Sequence, residues 1–304
     1  MAAISAKDVM KLREQTGAGM MDCKRALVDA EGDFEKAAEL LRERGIAKAA
    51  KRVSKIAAEG IVYAYVEGKT GVLVEINCES DFVAKGEKFH EVVAAVAKAI
   101  VANKPADVAA LLASDMGAGK TVETYINEQV GIIGEKISVR RFTAYETNGF
   151  IDTYIHMGGT MGVMLDFDCA ENEMTKELAH NVALHAAFAK PTYLTAAEVS
   201  AETLEKERAI LMQEVINEGK PEAIAARIVE GKIKKFYEEN CLMEQKFIKD
   251  DKMTIAQLIA QTAKAAGTSI ALKAFVYYVM GEGLEKKSED LSEEVAKQVE
   301  AMKK

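Results

Sequence analysis

The chain has 304 residues, a net charge of −8, and hydrophobic residues at 49% of its positions. This length predicts two or more domains or lobes, and the composition is typical of a folded globular protein. The acidic balance argues against a dedicated nucleic-acid-binding or membrane-surface protein. No apolar run reaches the ~18 residues that a membrane helix needs, and the charged, amphipathic start is unlike a signal peptide. We therefore expect a cytoplasmic protein.

The four cysteines are scattered along the chain, at Cys23, Cys78, Cys169 and Cys241. None forms a C-x-x-C pair, which argues against a zinc site or a redox motif. We expect four reduced thiols, no bound metal and no cofactor.

Residues 1–45 are predicted to form a module of three short helices. Ser5 is placed to cap the first helix, with Asp8 three residues later. The second helix has an apolar stripe of Cys23, Ala26, Leu27 and Ala30. The third is expected to start at Asp33, bury Phe34, Ala37, Ala38 and Leu41, and stop at Gly45. Modules of this size usually bind partners and rarely carry chemistry.

Residues 46–59 read as a basic linker, because 46–58 contain Lys48, Lys51, Arg52 and Lys55 and no acid. A solvated helical connector is one interpretation. A strip that faces an acidic partner surface is another. Nucleic acid comes third, because the stretch lacks the aromatic residues on which bases stack.

The rest of the chain contains one pattern twice. The first copy begins GIVYAYVEGKTGVLVEINC at 60–78 and the second GFIDTYIHMGGTMGVMLDFDC at 149–169. Both read as β-hairpins, and each is followed by a helix and later by a block that ends in a third strand. Thr121 and Thr254 begin these later blocks and are predicted helix caps.

The predicted fold class is α+β, with two duplicated lobes that contain antiparallel sheets, at 60–148 and 149–283. The spacing between the copies grows late in the chain, so the second copy carries an insertion. Its sequence predicts a helical hairpin at about 198–240, which is either decoration or a contact for self-association or for a partner. A C-terminal helical module is expected over 284–304, where a narrow apolar stripe suggests docking.

The stretch NCESDFVAKG at 77–86 places Asp81 and Phe82 at the end of a strand. Phe82 either fills the core or faces a partner. The second copy runs AENEMTKELAH at the same point and lacks this pair, so the fold alone does not require it. The comparison favours a surface role, since an exposed aromatic beside an acid is typical of a binding loop.

Two stretches resemble catalytic motifs, but each lacks a feature that the motif requires or has a structural explanation. The Gly117–Thr121 stretch GAGKT looks like the tail of a P-loop, but it lacks the first glycine and the preceding strand. Cys78 and His90 resemble a thiol–base pair, but Cys169 and His180 repeat them, which indicates a structural role. His156 differs, because it lies at a hairpin turn where a partner contact is plausible.

Four features carry a resemblance to bacterial elongation factor Ts, a family of exchange factors for the GTPase elongation factor Tu. They are TGAGMMDCKRAL at 16–27, NCESDFVAK at 77–85, the repeated lobes, and VMGEGLEK at 279–286. The resemblance implies a protein without chemistry of its own that promotes exchange of GDP for GTP. It also implies a ubiquitin-associated-like front module and no direct contact with nucleic acid or membrane.

The resemblance also assigns roles to residues. Ser80, Asp81, Phe82 and Val83 match a loop that enters the partner's G domain and displaces its Mg²⁺, with Ser80 where the family has threonine. His156 matches a histidine near the partner's phosphate site, and the second lobe would contact a β-domain. The front module and the terminal helix would contact the G domain. The expected partner-binding residues are Met20, Met21, Lys24, Lys51 and His156.

Two other functions compete with nucleotide exchange. An enzyme would need convergent acids, bases or cofactor motifs in a pocket between the lobes, and the sequence offers none. A non-catalytic scaffold or chaperone-like protein would use the front module and the helical hairpin. Kinetics of nucleotide release separate the first function from these two.

Overall fold

The computed structural model describes residues 4–219 and 221–285. Helices and antiparallel strands are mixed within this part, which confirms the predicted α+β class. Contacts between residues divide it into unit 1, with 4–63, 74–142 and 279–285, and unit 2, with 64–73 and 143–278. No helix in the described part is both long and apolar enough to cross a bilayer. The predicted terminal helix lies outside the described residues from position 286 onward.

The described α-helices are α1 (Ala6–Thr16), α2 (Met20–Asp29), α3 (Phe34–Arg52), α4 (Asp81–Ala84), α5 (Glu87–Asn103), α6 (Val108–Ala113), α7 (Val122–Ile133), α8 (Glu173–Ala189), α9 (Ala201–Asn217), α10 (Glu222–Asn240) and α11 (Ile255–Ala266). The described strands are β1 (Glu59–Glu67), β2 (Thr70–Cys78), β3 (Asp115–Gly117), β4 (Lys120–Thr121), β5 (Ser138–Glu146), β6 (Phe150–His156), β7 (Met161–Asp168), β8 (Lys246–Phe247), β9 (Asp250–Thr254) and β10 (Ala271–Val279). Short 3-10 turns lie at Met157–Gly159, Ala196–Glu198 and Leu242–Glu244.

Helices α1–α3 form the predicted bundle at the start of unit 1. The Ser5 hydroxyl accepts from the Asp8 amide, and the Asp8 carboxylate accepts from the Ser5 amide, so the predicted capping box is confirmed. The predicted stripe on α2 is also confirmed, since its members are buried in the bundle core. That core consists of Val9, Leu12, Ala18, Cys23, Ala26, Leu27, Ala30 and Ala37.

The prediction that the third helix stops at Gly45 was wrong. Helix α3 continues to Arg52, so the first half of the expected basic linker is helical. Gly45 lies against helix α7, where a Cβ added to Gly131 would come within 2.6 Å of the Gly45 Cα. Glycine here serves the close approach of two helices and not a helix end. The domain boundaries drawn from the sequence stay predictions.

The duplication is visible in the sheets, which have the orders β1-β2-β5 and β10-β7-β6. In each, the second strand of the hairpin is central and the third strand pairs with it. Helices α5 and α8 occupy the same place in the two copies. Both end at a lysine in the left-handed conformation, Lys104 and Lys190, each with φ of 48°. The two copies therefore match down to the way their long helices end.

Two small hairpins, β3–β4 and β8–β9, were not predicted from the sequence. Each ends at a threonine that caps the next helix, Thr121 for α7 and Thr254 for α11. Both predicted caps are confirmed, because each hydroxyl accepts a backbone amide three residues later at 3.1 and 3.2 Å. The GAGKT stretch is thus a hairpin turn followed by a helix cap.

Unit 2 contains the predicted helical hairpin, formed by α9 and α10. The two helices share a small core of Val215, Ala225, Val229 and Ile233. The sheet of unit 2 packs on α8 and α11 through a separate core that includes Phe150, Leu165, Phe167, Leu178 and Ile255. The insertion therefore has packing of its own, beside the core of the lobe.

Candidate functional site

The candidate site is the loop that follows β2 in unit 1. Residues 71–78 at the end of this strand are buried, and apart from Glu75 and Asn77 they are apolar or glycine. The chain leaves the core at Glu79 and Ser80 and at once makes the single turn of helix α4. The loop therefore starts directly from a buried strand and reaches the surface within two residues.

Ser80 begins this turn and is held in place from two directions. Its hydroxyl caps α4 by accepting from the Val83 amide at 3.3 Å. The same hydroxyl donates to the Glu135 carboxylate at 2.6 Å. The other oxygen of Glu135 accepts from the amides of Ser80 and Glu79, at 2.9 and 3.1 Å. The start of the loop is therefore fixed by hydrogen bonds on both its backbone and its side chain.

The Glu79 carboxylate makes the reciprocal contact to the segment that contains Glu135. Glu79 accepts from the Lys136 amide at 2.7 Å and from the Arg52 guanidinium at 2.6 Å. The Lys136 ammonium donates to the carbonyls of Val53 and Lys55, at 2.7 and 3.0 Å. Burial raises the pKa of Glu79, but these hydrogen bonds and the positive charge of Arg52 outweigh it and hold the pKa below the ordinary value.

Phe82 is the most exposed large apolar side chain in the loop, at 85% of its full accessible surface. Ala84, two residues later, is buried and anchors the turn. Asp81 pairs with Lys85 one turn on, with an O–N distance of 2.6 Å. The Lys85 hydrogen bond lowers the pKa of Asp81, so the acid is charged at neutral pH. The loop thus presents an exposed aromatic ring on the same short turn as an exposed ion pair.

The Cys78 thiol lies beneath the loop and donates to the Ser80 carbonyl at 3.2 Å. Burial raises its pKa to about 12, and the Glu135 carboxylate adds to the effect. The thiolate that nucleophilic catalysis requires is therefore disfavoured. This supports the structural reading of Cys78.

The other expected contacts in unit 1 lie on the helical bundle and at its end. Met20 and Met21 form the first turn of α2, and both are exposed. Lys24 is exposed one turn later on the same helix, and Lys51 is exposed in the last turn of α3.

His156 belongs to unit 2, where it ends β6 opposite Met161. Its Nδ1 is hydrogen-bonded to the Tyr154 hydroxyl at 2.9 Å, and its ring is exposed. Met157 follows in the left-handed conformation, with φ of 43° and an exposed side chain. The turn predicted at this histidine is present.

Sequence reasoning missed Glu79, Glu135 and Lys136 as supports of the loop. Glu135 lies 55 residues after Ser80, in the turn between α7 and β5. A charged residue in a turn normally indicates a solvated surface. One available signal was that the GEK turn closes the first copy, where the second copy has the uncharged GTS.

The comparison with protein families gives one match. A sequence model described as elongation factor TS matches residues 79–282, about two thirds of the chain. The matched range begins with the candidate loop and continues through the helical hairpin to the end of β10. Helices α1–α3 precede it.

Proposed function

The chain belongs to the elongation factor Ts family of translation elongation factors, and from this premise we propose that it accelerates GDP release from elongation factor Tu. In this proposal the chain binds the GDP complex of that GTPase in the cytoplasm and weakens its hold on the nucleotide. GTP then refills the empty site. The chain performs no covalent chemistry of its own.

Thermodynamic linkage sets what such a protein must do. If it binds the nucleotide-free GTPase more tightly than the GDP complex, it lowers the affinity for GDP by the same factor. A GTPase holds its nucleotide through Mg²⁺ and through backbone amides around the phosphates. A loop that disturbs these contacts would act on the largest source of affinity.

The observation that carries the proposal is the exposure of Phe82 on a firmly held loop. Burying an aromatic side chain contributes roughly 1.5–3 kcal/mol. This corresponds to about one to two decades in affinity. Little of that energy would be lost on ordering the loop, because Ser80 and Ala84 already fix it.

Phe82 alone is too weak for an efficient exchange factor, so further contacts are required. Met20 and Met21 offer an exposed apolar pair, and Lys24 and Lys51 offer positive charge for an acidic surface. His156 supplies a contact from unit 2. Dispersed contacts of this kind suit a partner that must be bound and then released.

Asp81 would act through its charge near the Mg²⁺ of the partner. In the free protein this charge is neutralised by Lys85. The pair is exposed, so the Coulombic cost of separating it is small. The position of Asp81 next to Phe82 means that both would reach the same part of the partner.

The decisive experiment measures release of fluorescent GDP from purified elongation factor Tu. The wild-type protein should accelerate release strongly, and Phe82→Ala should lower that acceleration by about one to two decades. Phe188→Ala is a matched control, since it removes a phenylalanine that is 76% exposed on α8 of unit 2. It should leave the maximal rate near that of the wild type.

Each outcome has a distinct meaning. No acceleration by the wild type would refute exchange and favour the scaffold alternative. Fast release that is equal in wild type and Phe82→Ala would keep exchange but assign the work to other contacts, with His156→Ala as the next variant. Equal losses in Phe82→Ala and Phe188→Ala would mean that the loop has no special role.

A further inference from the structure

We infer that Glu135 is a positioning residue that sets the orientation in which Phe82 is presented. The inference rests on the proposed exchange function and adds a residue to it. Glu135 itself is half-buried. It acts through Ser80, the residue that begins the helical turn on which Phe82 stands.

One carboxylate receives three donors from two adjacent residues. The amides of Glu79 and Ser80 donate to one oxygen, and the Ser80 hydroxyl donates to the other. Hydrogen bonds to a charged acceptor are roughly twice as strong as neutral ones. The two peptide groups that lead into Ser80, those of the Glu79 and Ser80 amides, are therefore fixed in orientation as well as in position.

The Ser80 hydroxyl transmits this orientation to the turn. Its proton points to Glu135, which leaves its lone pairs available to the Val83 amide at 3.3 Å. That amide lies in the first turn of the four-residue helix α4, where it has no partner within the helix itself, so the Ser80 hydroxyl supplies its acceptor. Without Glu135 the hydroxyl is free to rotate, and the cap on α4 weakens.

The reciprocal contact closes the arrangement into a clasp, defined here as Glu79, Ser80, Glu135 and Lys136. Glu79 accepts from the Lys136 amide, while Glu135 accepts from the Glu79 amide. Two segments separated by more than fifty residues thus hold each other by their backbones. Neither segment can turn without breaking bonds to a carboxylate.

The clasp also reaches the helical bundle. Arg52 at the end of α3 donates to Glu79, and the Lys136 ammonium donates to the Val53 and Lys55 carbonyls. The side chains of Glu79 and Lys136 therefore connect the loop that bears Phe82 to the chain that leaves the bundle. When the bundle binds the partner, the position of Phe82 relative to the bundle would therefore be fixed.

Two substitutions of Glu135 separate positioning from charge. Glu135→Ala removes all three acceptor contacts. Glu135→Gln keeps a carbonyl oxygen for the two amides, and its NH₂ can donate to the Ser80 hydroxyl. Glu123→Ala is the matched control, because it removes an exposed glutamate from α7 of the same unit.

The test measures kcat and KM for GDP release from elongation factor Tu. Glu135→Ala should lower kcat by about tenfold, below the ~100-fold that a clear misplacement of a reacting group can reach. Glu135→Gln should restore most of it, and Glu123→Ala should change nothing. In the Phe82→Ala background, Glu135→Ala should have no further effect, because the two residues then act as one.

Amide hydrogen exchange gives a readout that does not depend on the partner. The Ser80 and Glu79 amides should be protected in the wild type and in Glu135→Gln, and should exchange faster in Glu135→Ala. A kcat for Glu135→Ala equal to wild type would overturn the inference. So would an equal loss in the Phe82→Ala background, or unchanged protection of the Ser80 amide. If the wild type does not accelerate release, the proposed function fails, and with it the positioning role, while amide exchange still decides whether the clasp exists.

Discussion

Glu75 offers a sharp test of how unit 1 is held together. This residue lies on the central strand β2, and its side chain is fully buried. One oxygen accepts from Arg140 at 2.9 Å and from the Gly281 amide at 2.8 Å, and the other accepts from Arg141 at 2.7 Å. The carboxylate thus ties β2 to β5 and to the chain that follows β10.

Removing this carboxylate should be costly. Deleting one partner of a buried ion pair typically lowers the free energy of unfolding by about 3–5 kcal/mol. The side chains of Arg140 and Arg141 are 24% and 30% exposed, so water recovers part of their solvation. We therefore expect a loss of roughly 2–4 kcal/mol for Glu75→Ala. Glu75→Gln, which keeps an acceptor for Gly281, should lose roughly half as much.

Urea unfolding measures this loss. The chain has no tryptophan, so circular dichroism is the appropriate probe. With a slope of about 3 kcal/mol per molar urea, Glu75→Ala should lower the midpoint of the affected transition by roughly 1 M. Glu123→Ala should leave the midpoint unchanged within ~0.2 M, since surface substitutions are usually small.

The pH dependence provides an independent check. Burial raises the pKa of Glu75, but the Gly281 amide and the two guanidinium groups outweigh it and hold the pKa below its ordinary value of 4.5. The folded state therefore favours the charged form, and the stabilisation is complete above pH 4.5. It is lost as the pH falls from 4.5 through the lower folded pKa. A difference between wild type and Glu75→Gln that stays constant from pH 7 to pH 3, or a Glu75→Ala midpoint equal to the control, would refute this reasoning.

Three further predictions concern stability and reactivity. Burial raises the pKa of Asp152 to about 6, so the free energy of unfolding of unit 2 should fall as the pH rises from about 4 to 6. Asp152→Asn should abolish that fall. The prediction would be contradicted if the urea midpoints of wild type and Asp152→Asn differed by the same amount at pH 4.5 and at pH 7. Gly131→Ala should lower the free energy of unfolding by about 1–3 kcal/mol, because the added methyl group forces α3 and α7 apart. Gly231→Ala, in an open position of α10, should raise it by about 0.5–1 kcal/mol. Urea midpoints that shift in the same direction in both variants would contradict the packing argument. Cys78 should react with a disulfide reagent at pH 8 only after unfolding, because it is buried and its pKa is about 12; rapid labelling of the folded chain would show that the site opens.

Features that repeat were predictable from the sequence. The match between the two copies predicted two lobes that each contain a hairpin and a third strand, and both threonine caps followed from one rule applied twice. The contrast between the copies also indicated that Phe82 is not required by the fold. Its exposed position in the structure agrees with that reasoning.

Features that depend on a single distant contact were not predictable. Gly45 looked like a helix end, because glycine favours both a left-handed cap and close packing, and only the position of Gly131 decides between them. Glu135 looked like a solvated turn residue, because its donors lie more than fifty residues earlier. Glu75 did leave a signal that was not used, since a charge inside an apolar strand needs partners, and Arg140-Arg141 stand in the adjacent strand.

The pairing of Asp81 with Lys85 also has a consequence for the free protein. An exposed phenylalanine is a point at which copies of the same chain can stick together, and such contacts grow with concentration. In the free protein, the Asp81–Lys85 ion pair belongs to the same helical turn as Phe82, and charges close to an apolar side chain oppose its self-association. We expect these charges to oppose self-association of the chain, while the ring stays available to a surface that offers complementary charges.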